Sequence, residues 1–335
     1  MILAETVTFG GGTLNRLAKV RDDKKAMSKF RTNSTARCLP LWRGKPLVRG
    51  NLRDELGLLP FSHSIFKIIK ENDAATVFLG CDHIGSPVFA TDLSSWSPDG
   101  FNHHAGEMFL DSTEQQHPDL TSDHVFIDLR NIMTNLSPNA AETAATAKAL
   151  LDWHKTHRFC SNCGHESKIT SAGWQRTCPA CGSHHFPRTD PVVIMLVIHG
   201  NSVLLGRSHH WPSKMYSLLA GFIEPGETIE AAARREVSEE TGIKIGSVDY
   251  LASQPWPFPT SMMIGCKCAA LSTDIKIDPS EIDDAMWVNK DELVMVLTGQ
   301  STQIKPARKG AIAHFILKNW LSGKLDKIID HTLSQ

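Results

Sequence analysis

The chain has 335 residues, of which 41% are hydrophobic and 21% charged, with a formal net charge of −1. That length is more than one core ordinarily serves, so two or three domains are expected. The balanced charge excludes a general polyanion binder, which needs a basic excess to neutralise phosphates, but leaves room for one small anionic ligand.

In chain order, residues 1–145 carry short strand-like runs such as Ala75–Gly80 and Ser86–Ala90, broken by Gly, Pro and Asp, and predict a mostly β domain with no chemistry motif. Residues 140–157 are rich in Ala and Leu and predict a helix. A short, Gly-rich stretch with four cysteines follows, and residues 146–188 are taken as helix plus metal-binding module. From Asp190 the pattern changes. A buried strand, Val192–Ile198, and a second, Val203–Gly206, flank a turn at Gly200-Asn201. A Gly loop (Ala220-Gly221), a helix over Thr228–Thr241, a strand over Met262–Ala269 and a last helix over Ala311–Leu321 complete a domain of residues 189–330. No internal repeat is evident. Val192–Ile198, at seven residues, is the longest apolar run, against roughly 20 for a membrane span. Neither terminus carries a signal-peptide or peroxisomal pattern, so a cytoplasmic protein without a membrane partner is expected.

Cys160-Ser161-Asn162-Cys163-Gly164 and Cys178-Pro179-Ala180-Cys181-Gly182 are two matched knuckles with fourteen residues between them. Each turns two thiolates toward one point, and four thiolates give Zn²⁺ a closed tetrahedral shell. With no open position for water, this zinc is expected to be structural, its binding energy replacing a core too small to form. His154, His157 and His165 read as packing or surface residues. Cys266 and Cys268, two apart on a strand, read as core.

Gly221, Glu227 and Arg235-Glu236-Val237-Ser238-Glu239-Glu240-Thr241-Gly242-Ile243 match GX5EX7REUXEEXGU, the Nudix box, at every defined position. Helical spacing puts Glu236, Glu239 and Glu240 on one face, where like charges repel unless a cation joins them. Oxygen ligands of this kind suit Mg²⁺ or Mn²⁺. Arg235 can pair with Glu227, and Gly221 and Gly226 allow the loop to bend. Such a site activates water against a pyrophosphate. Glu236, Glu239 and Glu240 are the candidate catalytic residues; the general base is Glu239, Glu240 or an acid outside the helix, which the spacing does not decide.

Ten residues on, Ser253-Gln254-Pro255-Trp256-Pro257-Phe258-Pro259-Thr260-Ser261 alternates prolines with aromatics, a rigid frame for stacking on a base. A rigid core turn explains the composition equally well.

With that motif the chain resembles the NADH pyrophosphatase (NudC-type) family of Nudix hydrolases. The likeness is carried by the Nudix box, SQPWPFPTS, Phe78-Leu79-Gly80, Trp153-His154, His157-Arg158-Phe159-Cys160, Phe186-Pro187-Arg188 and Ala311-Ile312-Ala313-His314. The resemblance implies an α+β chain: a Nudix α/β/α sandwich, a four-cysteine zinc ribbon and an N-terminal mostly β domain. It implies a catalytic metal on Glu236, Glu240, Glu281 and the backbone of Ala220. It implies substrate contacts at Phe222 and Phe186, which stands where a tyrosine is frequent. Further contacts are implied at Gln254, Pro255, Trp256, Pro257, Phe258, Pro259, Thr260 and Ser261, at the Ala313 backbone and at Arg130. A homodimer is implied, because in related enzymes one stacking ring comes from the partner subunit. The implied reaction is hydrolysis of NAD(H) to AMP and nicotinamide mononucleotide. The alternatives are removal of NAD caps from RNA 5′ ends and a zinc-ribbon binding module with an inactive Nudix domain; FAD, ADP-ribose or diadenosine polyphosphates are possible minor substrates.

Overall fold

The computed structural model describes residues 3–67, 75–98 and 113–325. Residues 1–2, 68–74 and 99–112 of the expected first domain and 326–330 of the expected last one lie outside these. The chain divides into two compact units, one formed by Phe9–Thr189 with Pro257–Thr260, the other by the residues up to Thr8, Asp190–Trp256 and those from Ser261 onward. Among the described residues, no helix is long and apolar enough to cross a membrane.

The first unit is built on strands β1 (Arg37–Trp42), β2 (Lys45–Arg49), β3 (Glu55–Leu56), β4 (Thr76–Cys81), β5 (Pro87–Asp92) and β6 (Val125–Phe126), in the order β3-β2-β1-β5-β4 with β6 also on β2. The pair β1/β5 is parallel and the rest antiparallel. β1 is buried at five consecutive positions, Cys38–Trp42, which is what a strand covered on both faces requires. The helix Pro138–Thr156 packs on β4. Its start follows from Ser137, whose Oγ accepts from Ala140 N–H at 3.3 Å, and from Pro138 in the first turn. Buried Ala141, Ala144, Ala145 and Ala147 let it lie close. The ribbon adds a three-stranded sheet, β7 (Lys168–Thr170), β8 (Gln175–Thr177) and β9 (His184–His185).

The second unit is a six-stranded sheet of β10 (Asp190–His199), β11 (Ser202–Arg207), β12 (Leu219–Phe222), β13 (Ile245–Trp256), β14 (Ser261–Ala270) and β15 (Asp284–Asn289). Its order is β13-β14-β10-β11-β15, with β12 also on β10. Side chains alternate along β10. Val193, Met195 and Val197 point to one face and pack with Ala232, Ala233 and Val237 of the helix Ile229–Thr241, and with Cys266 and Cys268. Ile194 and Leu196 point to the other and pack with Ile312, Ile316, Leu317 and Trp320 of the helix Ile312–Leu321, and with Val7. A helix on each face explains why Val192–Ile198 reads as an unbroken apolar run, and it is the expected α/β/α sandwich.

The two sheets share a pattern that the sequence does not display. From β4 through β5, β1 and β2 to β3, and from β13 through β14, β10 and β11 to β15, the pairings run antiparallel, parallel, antiparallel, antiparallel.

Candidate active site and metal centre

The ribbon knuckles form as their spacing predicts. Gly164 N–H returns to Cys160 O and Gly182 N–H to Cys178 O, each at 2.9 Å. Both glycines have φ +75°, a conformation that penalises any Cβ. The four Sγ atoms lie within 4.8 Å of one another, with Cys160–Cys181 at 3.6 Å and Cys163–Cys178 at 3.5 Å. None is in a disulfide. A four-thiolate set converging on one point fits Zn²⁺. His185, which the spacing rules did not single out, places Nε2 3.2 Å from Cys160 Sγ. His154 is buried, with Nε2 2.8 Å from Gly173 O and Nδ1 3.4 Å from an Arg176 nitrogen. Burial first, then Arg176, brings its pKa down to about 4 against the help of the Gly173 bond, so it packs as a neutral ring.

In the second unit one guanidinium organises the site. Thr228 caps the helix, its Oγ1 accepting from Ala231 N–H at 3.2 Å, and Ala232, Ala233, Val237 and Thr241 bury the face toward the sheet. Arg235, off that face, donates to both Glu227 oxygens at 2.7 and 2.9 Å, to Phe222 O at 2.9 Å, and to Glu236 and Glu239 at 2.9 Å each. The loop, the strand end and the helix are thereby joined by one planar fork, which a lysine cannot reproduce. The Arg235 bond and the Glu224 N–H hold the Glu227 carboxyl down at about 2.

Gly221 lies in β12, opposite Val193 of β10. The expectation that it bends the loop is corrected here: Gly226 carries a positive φ of 94° and Gly221 does not. Gly221 is needed for room, because a Cβ there would collide with the Glu236 carboxylate. Ala220 beside it is exposed. Glu236 is raised by burial, against the pull of Arg235. Glu240 is pushed up to about 8 by burial first and then by the charges of Glu236 and Glu281. Its Oε2 is buried with no hydrogen-bond partner among the described residues. Among the described residues only the four cysteines converge as a ready metal-holding group, but an orphaned carboxylate oxygen that feels the charges of Glu236 and Glu281 is the donor chemistry a hard divalent cation takes. Glu239 is half exposed and tied to Arg235. Glu281 is exposed on the turn before β15.

The candidate substrate residues divide. Phe222 and Phe186 are 60% and 65% exposed, so both rings are open to stacking. Gln254 is 0% exposed and fully engaged: Nε2 donates to Thr8 O at 2.9 Å and Gly310 O at 2.8 Å, and Oε1 accepts from Ile312 N–H at 2.8 Å. It orders the start of the last helix, where Ala313 is buried. Pro255 and Trp256 end β13 opposite Met262 and Ser261. The Phe258-Pro259 peptide is cis. Phe258 packs 6.3 Å from Phe9 and carries the Arg130 guanidinium 5.1 Å above its ring, while Pro257 and Thr260 are buried. Arg130 pairs with Asp128, Nε to Oδ1 at 3.0 Å and Nη2 to Oδ2 at 2.7 Å. Sequence reasoning missed Arg207, which pairs with Asp283 at 2.9 Å, and Tyr216, whose hydroxyl donates to Asp284 at 2.5 Å. The β11/β15 pairing brings Arg207 to Asp283, Tyr216 reaches Asp284 from the segment between β11 and β12, and no local signal marks either pair.

Three family models match: a NUDIX domain over residues 188–315, an NADH pyrophosphatase zinc ribbon domain over 155–186, and an NADH pyrophosphatase-like rudimentary NUDIX domain over 35–153. Human NAD-capped RNA hydrolase NUDT12 is 46% identical over 202 residues, covering 56% of this chain and 43% of that protein. The match thus spans less than half the length of that relative. Human mitochondrial NAD(P)H pyrophosphatase NUDT13 is 36% identical over 260 residues, covering 73% of this chain and 71% of that one. NAD-capped RNA hydrolase NudC of Stutzerimonas stutzeri is 37% identical over 199 residues, 59% of this chain and 68% of that one. Box, ribbon and rudimentary domain occur here in one chain, which belongs to the NADH pyrophosphatase (NudC-type) family of Nudix hydrolases.

Proposed function

We propose that the chain hydrolyses the pyrophosphate bond of NAD(H), giving AMP and nicotinamide mononucleotide. The observation that carries the reading is Glu240, whose Oε2 is buried without a hydrogen-bond partner among the described residues and whose carboxyl is raised by burial first and then by the charges of Glu236 and Glu281. Glu236, Glu240, Glu281 and the Ala220 carbonyl would hold Mg²⁺ or Mn²⁺, and the four cysteines one structural Zn²⁺. The divalent ion, when bound, neutralises pyrophosphate charge and makes water a stronger nucleophile near neutral pH. Arg235 keeps Glu236 aimed and the Phe222 carbonyl fixed. Glu239 and Glu240 are the candidates to take the water's proton. A water oxygen bonds to one phosphorus, the bridging oxygen leaves with the other, and two monophosphates result. Phe222 and Phe186 offer exposed rings to the base or nicotinamide. The Gln254–Ser261 stretch, Ala313 and Arg130 complete the assignment, Gln254 through the backbone it orders. We also assign a homodimer, a cytoplasmic location, and a division at about residues 145 and 188.

A second reading, removal of NAD caps from RNA, uses the same residues and is favoured by the relatives named NAD-capped RNA hydrolases. The test is side-by-side hydrolysis of NADH, NAD⁺ and NAD-capped RNA with Mg²⁺ or Mn²⁺, by wild type and Glu240→Gln. Cleavage of free NADH, lost at least ~100-fold in the variant, is expected; outer partners of a metal site already cost about 10–100-fold. Cleavage of capped RNA alone would make decapping the function, and no cleavage by folded, zinc-loaded protein would move the chain to the binding-module class.

A further inference from the structure

Glu281 sits on no regular element. An exposed glutamate on a turn keeps a fixed direction only where the turn is held, and this one is held at both ends. On the helix side, Lys276 N–H donates to Thr241 O at 2.8 Å and Asp278 N–H to Glu240 O at 3.1 Å. Within the turn, Asp278 Oδ1 accepts from Ser280 N–H at 2.8 Å and Ser280 Oγ at 2.6 Å. The Asp278 carbonyl accepts from Glu281 and Ile282 N–H, both at 3.1 Å, and Ile282 is buried. On the strand side, Asp283 N–H donates to Arg207 O at 2.8 Å, and Arg207 Nη2 pairs with Asp283 Oδ2 at 2.9 Å. His209 spans the turn, with Nε2 3.0 Å from Pro279 O and Nδ1 3.5 Å from Asp283 Oδ1. Arg207 is anchored in turn by donating to Trp211 O at 3.3 Å.

We propose that Arg207, acting through Asp283 and assisted by His209, is a positioning residue that aims Glu281 at Glu236 and Glu240. The proposal rests on the reading of Glu281 as a ligand of the divalent ion. The bonds from Lys276 N–H to Thr241 O and from Asp278 N–H to Glu240 O set this turn against the end of the helix that carries those acids. What the Arg207–Asp283 pair adds is direction: a carboxylate on an unpinned turn has to be ordered at every binding event, and affinity falls by that ordering.

The test is Mn²⁺ titration of the full, zinc-loaded chain, followed by electron paramagnetic resonance. It compares wild type, Arg207→Met, Arg207→Lys, Glu281→Gln and the Arg207→Met/Glu281→Gln double variant, with thermal midpoint and zinc content measured for each. Arg207→Met should weaken Mn²⁺ by about 10–100-fold, with partial recovery in Arg207→Lys and an unchanged KM for NADH at saturating Mn²⁺. The double variant should bind no more weakly than Glu281→Gln alone, since a residue acting through another gives no further loss. Additive losses, or wild-type affinity in Arg207→Met, overturn the proposal. Wild-type affinity in Glu281→Gln removes the ligand reading and the proposal with it, whereas a loss in Glu281→Gln alone removes only the proposal. If Arg207→Met does not fold, Asp283→Asn makes the same test from the other side of the pair.

Discussion

Glu240 carries a stability cost on the Nudix-box helix. Its carboxyl stands near 8 against an ordinary 4.5, so between those values the folded chain holds a proton that the unfolded chain has lost. This group's contribution is therefore fully present below 4.5 and is lost as pH rises through about 8. Without divalent metal, the zinc-loaded chain should lose thermal stability across that window. Glu240→Gln should flatten the fall, and so should saturating Mg²⁺, which binds the ionised form. Melting curves against pH for the two proteins check this, and parallel profiles would refute it. Single residues were also what the sequence conveyed best. The Nudix box fixes acids, arginine and glycines at set intervals along β12, the loop after it and the helix Ile229–Thr241, and the cysteine knuckles do the same on two turns. Arg207, Asp283 and His185 were not legible, because residues distant in the chain meet only after strands pair.

At the level of elements, the ribbon and the last helix are held in opposite ways. The ribbon has three short strands and few buried apolar residues, so its order depends on thiolates that repel until a cation joins them. Cys178→Ser should abolish stoichiometric zinc and open residues 158–187 to protease, while the far-ultraviolet signal of the two larger sheets survives. Metal analysis with limited proteolysis reads this, and an intact, protease-resistant ribbon without zinc would contradict it. The last helix is held instead by burial of Ile312, Ile316, Leu317 and Trp320 and by Gln254 at its start. The helices Pro138–Thr156 and Ile229–Thr241 were legible from helix-forming composition and β10 from its apolar run, while the helices Lys24–Arg31 and Lys290–Leu297 were not read. The parallel pairings β1/β5 and β10/β14 were not, since apolar runs specify burial and not a neighbour.

On the scale of the whole molecule, the chain's beginning joins its second unit. Val7 is buried among Leu251, Ile312 and Ile316, and Thr8 O accepts from Gln254. The short, turn-broken start gave no sign of this. Removing residues 1–8 takes away a buried valine, worth about 1.5–3 kcal/mol, and a hydrogen bond worth about 1 kcal/mol. The thermal midpoint of the Nudix unit should fall accordingly with zinc content unchanged; an unaltered midpoint would mean the segment contributes nothing. The shared pairing pattern of the two sheets also appears only at this scale. Pairing order constrains backbone, and one backbone can be filled by many apolar sequences, so the likeness leaves no repeat to read.

The buried amide of Gln254 has a mechanical meaning. Its two ends grip the backbone at Thr8, Gly310 and Ile312, and its own backbone leads in two residues to Trp256. The strand that ends in the proline-aromatic motif and the helix that begins at Ile312 are therefore one lever. A ligand that engaged Trp256 would be expected to load the Ile312 amide as well, and the exchange rate of that single proton would read the strain.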